Sequence, residues 1–452
     1  MSKDNIIEGN PTKTFFIQMI TRDITINDAI IDLLDNSIDG ASKLKENNDF
    51  SDLYIDITIN RNEFIVKDNC GGFPLDIAQK YAFRFGRPDD APETTGSVGR
   101  FGIGMKRALF KIGKNFIVES KSENSHFSIT VNVDEWKNKT KKIVLNNNIQ
   151  QTVEDWNFEY EMVTENANLT EYGTYIRVCN LTNDISDLFC NSVFLNDLKN
   201  DIERLLNFSL QKKIKITLNK QELSCKGIDL FYSEEGTKPY YNSGNKLGVD
   251  YKIIAGLGKV GDPSIAGWYI YCNDRLVLEA DRTEITGWGT PSIPKFHLDY
   301  VMFRGIVFLD SEDTIKLPLT TTKKGIDATS EIYKAILPFM KEAMQNVIPF
   351  LKTVTKLGDE ANDYRKLLEE QMEKKCVVEM KSMQFTHSIR NFIEPNLNMD
   401  IIAQKKETIR IAYDVNKKIA NKAKNYSESK SYKELGEITF DYYVQMEELG
   451  DE

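Results

Sequence analysis

The sequence has few of the residues from which metal centres and histidine-dependent active sites are built. It contains only three histidines, none close to another along the chain, so a histidine metal centre or a Ser-His-Asp triad is not expected. No Cys-x-x-Cys pair occurs among the six cysteines, which argues against a zinc site and for free thiols.

Long apolar runs are also missing. No stretch approaches the roughly 18 apolar residues of a membrane-spanning helix, and MSKDNIIEGNPTKTFF lacks the apolar segment of a secretory signal. We therefore expect a cytoplasmic protein with no membrane partner. The 452 residues suffice for two or three domains, and the formal net charge of −10 disfavours unspecific nucleic-acid binding by the whole surface but not by a local basic patch.

The first part of the chain predicts a sandwich of helices and a sheet. Residues 24–46 show apolar residues at helical spacing behind Thr25, a candidate N-cap. β-rich runs follow at LYIDITINRNEFIVKDN, NFIVES, HFSITVNV and GTYIRVCNL, and GRFGIGMKRALFKIG predicts a loop that leads into a helix. These strands are arranged mostly in hairpins rather than in a β-α-β series.

The remaining chain predicts a second α/β unit and then a helical part. Residues 195–330 contain a helix at LNDLKNDIERLLNFSL and strands at KIKITLN, YKIIAGLG, GWYIYCNDRLVL and GIVFLD. Beyond about residue 330 the apolar residues recur every three or four positions, which is typical of helices. We predict an α+β protein with domains at 1–190, 191–330, 331–400 and 401–452.

Three short stretches carry residues suited to nucleotide chemistry. In the first helix, Asp32, Asn36 and Asp39 stand at i, i+4 and i+7 and share one face. VKDNCGGF places Asp68 just before two glycines, and GSVGRFGIGMK places four glycines directly before a helix, whose N-terminus can bind an anion. An amide oxygen for Mg²⁺ and a carboxylate for water complete what nucleotide hydrolysis requires.

Each stretch alone has a simpler interpretation, since a polar helix stripe is commonly a solvated face and a glycine pair commonly a turn. Their order is specific, however. DLLDNSIDGA, VKDNCGGF, VGRFGIGMKRALFKIG and GTYIRV lie within residues 28–181 and resemble, in that order, the motifs of the GHKL (Bergerat-fold) ATPases. The glycine loop continues into a lysine and a second basic-Ile-Gly sequence. In this feature the chain is most similar to the MORC-type branch and to the heat-shock-chaperone-like ATP-binding proteins.

The resemblance implies a fold and two cofactors, ATP and Mg²⁺. Residues 1–190 would form the Bergerat-fold α/β sandwich, and residues 191–330 an S5-like transducer domain, followed by a helical C-terminal region. The transducer would send a catalytic lysine to the γ-phosphate. Lys323 is the candidate, with Lys324 as the alternative, and two solvated loop lysines are the simpler interpretation.

The resemblance also implies roles for individual residues. Asn36 would ligate Mg²⁺ through its amide oxygen, and Asp32 would be the catalytic carboxylate that faces water. Asp68 would accept a hydrogen bond from the adenine amino group, with Gly72 letting the adenine lie against the turn. The other cofactor-binding residues would be Asp39, Gly99, Arg100, Phe101, Gly102, Ile103, Gly104, Lys106 and Thr174.

Two departures from the family pattern affect the expected activity. The family usually has Glu at the position of Asp32, which is one methylene shorter. A displacement of about 1 Å can cost on the order of a hundredfold in rate, so slow turnover is expected. Cys70 replaces the first glycine of the usual Asp-x-Gly-x-Gly turn, and a shifted turn at Gly71 would compensate. Residues 85–99 would be the ATP lid.

The C-terminal segment has its own pattern. Residues 407–446 predict strand, helix, turn and helix, with alternation in TIRIAYDV and Ser431 as a helix cap. This order resembles a ribbon-helix-helix module within 401–452, whose paired strands form a dimer and can enter the DNA major groove. The alternative is a helical hairpin whose lysines are solvated. The basic residues are Lys405, Lys406, Arg410, Lys417, Lys418, Lys422, Lys424, Lys430 and Lys433.

Two functions are compatible with these features. The first is an ATPase, converting ATP and water to ADP and phosphate, that works as a clamp. It would form a homodimer on binding ATP and couple its nucleotide state to a protein effector or to DNA, in DNA maintenance or anti-phage defence. The second is a nucleotide-sensing scaffold or chaperone-like protein with little turnover. A sensor histidine kinase is disfavoured, because no histidine lies on a helical hairpin before the ATP-binding part.

Overall fold

A computed structural model of the chain describes most of its length in two compact units, Met1–Leu397 and Asn398–Glu452. The described residues are 9, 11–45, 49–86, 103–144, 150–225, 227–233, 236–259, 263–320, 325–358, 361–383, 390–395, 411–447 and 449. All six cysteines are free thiols, as predicted. Among the described helices, none has the length and apolar character that a bilayer crossing needs.

An eight-stranded sheet forms the first layer of the larger unit. Its strands are β1 (Tyr54–Ile59), β2 (Glu63–Asp68), β3 (Asn115–Lys121), β4 (His126–Asn132), β7 (Glu161–Met162), β8 (Gly173–Cys179), β9 (Lys215–Leu218) and β10 (Gln221–Glu222), while β5 (Thr140–Val144) pairs separately with β6 (Gln150–Glu154). The order is β10-β9-β1-β2-β8-β3-β4-β7. Its pairs are antiparallel except β1 with β9, which is parallel.

Helices accompany this sheet. They are α1 (Lys13–Arg22), α2 (Ile26–Leu44), α3 (Leu75–Ile77, continued by a π-helical turn at Ala78–Ala82), α4 (Gly104–Ile112), α5 (Val133–Asn138), α6 (Asn183–Phe189), α7 (Ser192–Leu205) and α8 (Asn207–Gln211). Helix α2 packs on α4. It begins as predicted, because the Thr25 hydroxyl accepts a hydrogen bond from the Asp28 N–H. Several of its apolar residues, including Ile30 and Leu34, are fully buried in the core, whereas Leu44 at its end is exposed.

A five-stranded sheet forms the second layer, in the order β12-β13-β16-β14-β15. Its strands are β12 (Tyr240–Lys246), β13 (Val249–Leu257), β14 (Gly267–Cys272), β15 (Arg275–Asp281) and β16 (Phe303–Asp310), with 3₁₀ turns at Pro263–Ile265, Glu284–Thr286, Leu298–Tyr300 and Thr314–Lys316. The long α9 (Glu331–Lys356) packs on it and is followed by α10 (Ala361–Gln371) and α11 (Val377–Ser382). Strands β11 (Asp229–Phe231) and β17 (Lys374–Cys376) form a separate pair.

Over its described residues, the smaller unit has two helices, α12 (Lys417–Tyr426) and α13 (Tyr432–Met446). Side-chain caps from Asn416 and Ser431 begin them, as predicted for Ser431. Among its described residues only Ala420 and Ser429 are buried, because two short helices enclose no core of their own.

Several predicted elements differ from the structure. GWYIYCNDRLVL is a hairpin rather than one strand, because Asn273 and Asp274 take left-handed backbone angles between β14 and β15. Strand β9 joins the first sheet, so that sheet extends beyond residue 190. Residues 374–376 form a strand inside the part predicted to be helical. No strand forms over the described residues 411–415, because no described segment pairs with them there.

We predict that Gly40→Ala destabilises the larger unit by about 1–3 kcal/mol. A Cβ at Gly40 in α2 would lie 2.5 Å from the backbone oxygen of Cys70, in the turn after β2, and would push the two segments apart. All four tryptophans lie in the larger unit, so chemical unfolding followed by tryptophan fluorescence measures this loss. The control is Gly436→Ala in α13, where nothing lies within 4 Å of the added carbon. An unchanged midpoint for Gly40→Ala would contradict the prediction.

Candidate functional site

The carboxylate of Asp68 is the centre of the candidate site. It ends strand β2 and is almost fully buried. The Ser37 hydroxyl on α2 donates to Oδ2 at 2.7 Å. The backbone N–H groups of Cys70 and Thr174 donate to Oδ1 at 2.9 and 3.1 Å. A carboxylate offers about four acceptor positions, so one more donor can be accepted.

Burial raises the pKa of Asp68, while hydrogen bonds from Ser37, Cys70 and Thr174 act in the opposite direction. These three donors favour the ionised form, which can only accept hydrogen bonds. The arrangement therefore suits recognition of an amino group, such as the exocyclic amine of adenine.

The turn after β2 packs closely against strands β3 and β8. Gly71 and Gly72 have positive φ angles of 89° and 59°, whereas Cys70 does not, so an ordinary residue is accommodated there. A Cβ on Gly72 would lie 2.5 Å from the backbone oxygen of Lys121. The Ser120 hydroxyl fixes the next residue, because it donates to the Phe73 oxygen and accepts from its N–H, both at 2.8 Å.

The polar residues of α2 point in different directions. Asn36 is exposed, which is compatible with its predicted role as a metal ligand. Asp39 is half-buried and lines a cavity of about 290 Å³ between α2 and the second layer. Asp35, which was not predicted as a site residue, is buried and pairs with Arg275 of β15.

Asp32 lies on the buried side of α2, next to the start of α4. The Nη2 of Arg107 lies 2.5 Å from its Oδ2. That oxygen is also 3.6 Å from the position a Cβ would take on Gly104, the first residue of α4. The predicted catalytic carboxylate and the helix N-terminus predicted to bind phosphate are thus adjacent, and Ile103 stands half-buried just before that helix.

Lys106 lies in the interior of the domain. Its Nζ donates to the Ala82 backbone oxygen at 2.6 Å and lies 5.9 Å from the centre of the Phe85 ring. Burial lowers the pKa of Lys106 to about 7. In this arrangement its amine lies near Ala82, just before the predicted lid, and near Phe85, the first residue of that lid.

Part of the predicted site lies outside the described residues. These predictions concern Gly99, Arg100, Phe101 and Gly102 of the glycine loop, residues 87–99 of the lid, and Lys323 with Lys324. Thr174 is described and half-buried, and its backbone N–H rather than its hydroxyl makes the bond to Asp68 given above.

The donor set is compatible with Mg²⁺ bound together with a nucleotide. In the described part of the chain, no group of three or more His, Cys, Asp or Glu side chains is arranged to hold a metal ion. Mg²⁺ usually keeps several waters and binds through one or two protein oxygens plus phosphates. The exposed amide of Asn36 provides such an oxygen, and the ion would supply charge neutralisation at the phosphates.

Residues 24–170 match the family of histidine kinase-, DNA gyrase B-, and HSP90-like ATPases. The match supports a GHKL-type ATPase domain over this segment. The match covers α2, the Asp68 turn and α4, and the mixed α/β sandwich confirms the predicted fold class. The match to this family supports ATP binding by the segment, usually with Mg²⁺, and ATPase activity in general. No curated protein matches the chain.

Four residues next to the GHKL site were not predicted. Ser37 and Asp35 flank Asn36 on α2, and a buried helix serine or aspartate can be suspected from the apolar residues on either side. Arg107 and Arg275 gave no comparable signal, because a single arginine in a sequence does not show which carboxylate it will meet.

We predict a pH-dependent stability contribution from Lys106. Its pKa of about 7 in the folded chain lies below its unfolded value, so the folded state holds one proton fewer between these values. The unfolding free energy of the wild type should therefore rise by about 1.4 kcal/mol per pH unit from about pH 7 to pH 10, relative to Lys106→Met. Urea unfolding across this range measures the difference.

The matched control is Lys80→Met, because the Lys80 side chain is exposed. Its stability should follow the wild type at every pH. If the unfolding free energies of Lys106→Met and wild type instead change in parallel with pH, the Lys106 amine stays charged in the folded protein.

Proposed function

We propose that the GHKL domain binds MgATP with Asp68 as the adenine acceptor and Asn36 as the metal ligand. The observation that carries this proposal is the buried Asp68 carboxylate, which has three fixed donors and one acceptor position left. Thr174 and Gly72 line the same place, and the exposed Asn36 precedes Ser37, which is bonded to Asp68. The proposed metal ligand Asn36 would then be the residue directly before Ser37, which holds the adenine acceptor.

We further propose that Asp32 is the catalytic carboxylate and that turnover is slow. Asp32 carries a shorter side chain than the usual Glu, and Arg107 contacts its Oδ2 at 2.5 Å. A carboxylate engaged by a guanidinium is a weaker acceptor for a proton from water. Gly99, Arg100, Phe101, Gly102, Ile103, Gly104, Lys106, Asp39 and Lys323 remain proposed nucleotide contacts.

The contact between Arg107 and Asp32 also favours the second function, a nucleotide-sensing scaffold. If the pair persists in the bound state, nucleotide would be held without hydrolysis. The protein would then report nucleotide occupancy to its partner and not cycle.

Substitutions on α2 separate binding from turnover. Asn36→Ala should lose MgATP affinity, because the metal loses its only proposed side-chain ligand. Asp32→Ala should bind MgATP and lose hydrolysis. Titration of each purified variant with MgATP and a steady-state phosphate-release assay measure both quantities. ATP binding by Asn36→Ala at wild-type affinity in the presence of Mg²⁺ would exclude the assigned metal role.

Asp32→Glu tests whether side-chain length limits the rate. A longer carboxylate recovers about 1 Å of reach, so kcat should increase, by up to roughly a hundredfold. No turnover in either the wild type or Asp32→Glu, with ATP bound by both, would favour the scaffold over the ATPase.

We propose that the chain acts as a MORC-type clamp that forms a homodimer on ATP binding. The exposed apolar side chains of the smaller unit support a second protein surface there, since they include Ile411, Tyr413, Val415, Phe440 and Tyr443. Helix α12 supports DNA as the partner, because it contains four lysines and no acidic residue. A role in DNA maintenance or anti-phage defence follows from this likeness alone.

The DNA proposal predicts a change in salt dependence. Each lysine that neutralises a phosphate contributes about 0.9 to the slope of log affinity against log salt. Lys418→Gln combined with Lys422→Gln should therefore lower the slope for the full chain on duplex DNA by about 1.8. The control is Lys433→Gln, because Lys433 is paired with Glu437 on α13. Absence of DNA binding by the wild type with and without ATP would leave a protein partner.

A further inference from the structure

The turn between β14 and β15 connects the second layer with the nucleotide site. Asn273 and Asp274 form a left-handed two-residue turn of the type that joins tight hairpins. The Asn273 side chain holds the turn to the end of β16, because it donates to the Ser311 oxygen at 3.0 Å and accepts from the Ser311 N–H at 2.9 Å. The turn is therefore fixed in position within the second layer.

The next residue, Arg275, reaches into the first layer. Its side chain is 6% exposed and pairs with Asp35 on α2. Burial lowers the pKa of Arg275 to about 10, and the carboxylates of Asp32 and Asp28 on the same helix oppose this shift. The three acidic residues stand at i, i+4 and i+7, so one face of α2 is directed at the guanidinium.

The opposite side of the turn is anchored as well. The Asp274 carboxylate lies 2.7 Å from the Lys212 amine and 2.5 Å from the Lys381 amine, and Lys381 also lies 2.8 Å from Asp310. Lys212 follows α8 in the first layer, whereas Lys381 belongs to α11. The turn thus meets both layers and the helical region that follows them.

The space beside this contact leaves room for movement. The cavity of about 290 Å³ is lined by Asp35 and Asp39 of α2 on one side and by Asn273, Asp274 and Arg275 on the other. The Arg275–Asp35 ion pair lies at the edge of this cavity and joins the turn to α2.

We propose that Arg275 is a positioning residue for the nucleotide site, which holds α2 through Asp35 so that Asn36 faces the metal. This inference rests on the proposed MgATP binding. Asn36 directly follows Asp35, so a displacement of Asp35 moves the metal ligand. Asp68 is less dependent on α2, because the Cys70 and Thr174 N–H groups hold it from outside that helix. Loss of Arg275 therefore affects metal binding more than adenine binding.

The test is the ratio of ATP affinity with Mg²⁺ to ATP affinity with EDTA. It is measured by titration of wild type, Arg275→Met, Asp35→Asn and the double variant, with Arg275→Lys as a conservative rescue. We expect Arg275→Met to lower this ratio about tenfold, while its ATP affinity in EDTA falls less than about twofold. Arg275→Lys should recover part of the ratio. The control is Arg61→Met, which removes an exposed pair with Asp187.

The double variant keeps the inference testable if a single variant fails to fold, because removing both charges leaves no unpaired buried charge. The double variant should show the same affinity ratio as Arg275→Met, because both variants lose the same contact between Asp35 and Arg275. A proportional loss in both buffers, or an unchanged ratio, would overturn the positioning role. A wild type that binds no ATP in either buffer, or binds it without Mg²⁺ dependence, would instead overturn the proposed function.

Discussion

The hydrogen bonds to the buried Asp68 carboxylate determine the geometry of the candidate site. They come from a helix, a turn and a strand, so this one group is bonded to three elements. Hydrogen bonds to a charged group contribute about 1.5–3 kcal/mol each, and a buried charge that loses a donor is costly. The position of Ser37 on α2 and that of Thr174 at the start of β8 are therefore coupled to one carboxylate.

A second constraint comes from the acidic face of α2. Asp32 and Asp35 are both buried, and burial of an ionised carboxylate is unfavourable unless a cation is provided. Arg107 of α4 and Arg275 of β15 provide one each. Helix α2, which carries Asn36, is thus held by α4 and by the second layer, and its orientation depends on both.

Much of this architecture was predictable because local signals agree with the fold. The helical spacing and Thr25 cap of α2, the hairpin at Asn60–Asn62 and the helix after the glycines all follow from short-range patterns. The site residues Asp68, Asn36 and Asp32 were named from motif order, and their assigned roles stay predictions.

The missed features depend on distant partners. Strand β17 has three residues, and its pairing with β11 has no local signal. The partners of Asp32 and Asp35 lie 75 and 240 residues away. Which charges meet across such separations is decided by packing of the layers, and a single sequence contains no direct record of it.

The parallel pairing of β1 with β9 has a consequence for synthesis. Strand β1 gains this neighbour only when Lys215–Leu218 has been translated, although the matched ATPase segment ends at residue 170. At roughly 5–20 residues per second, the interval between residues 59 and 218 lasts about 8–32 s. During that time one edge of β1 is open to other chains on the ribosome, so strand β9 protects β1 from misassociation once it has been made.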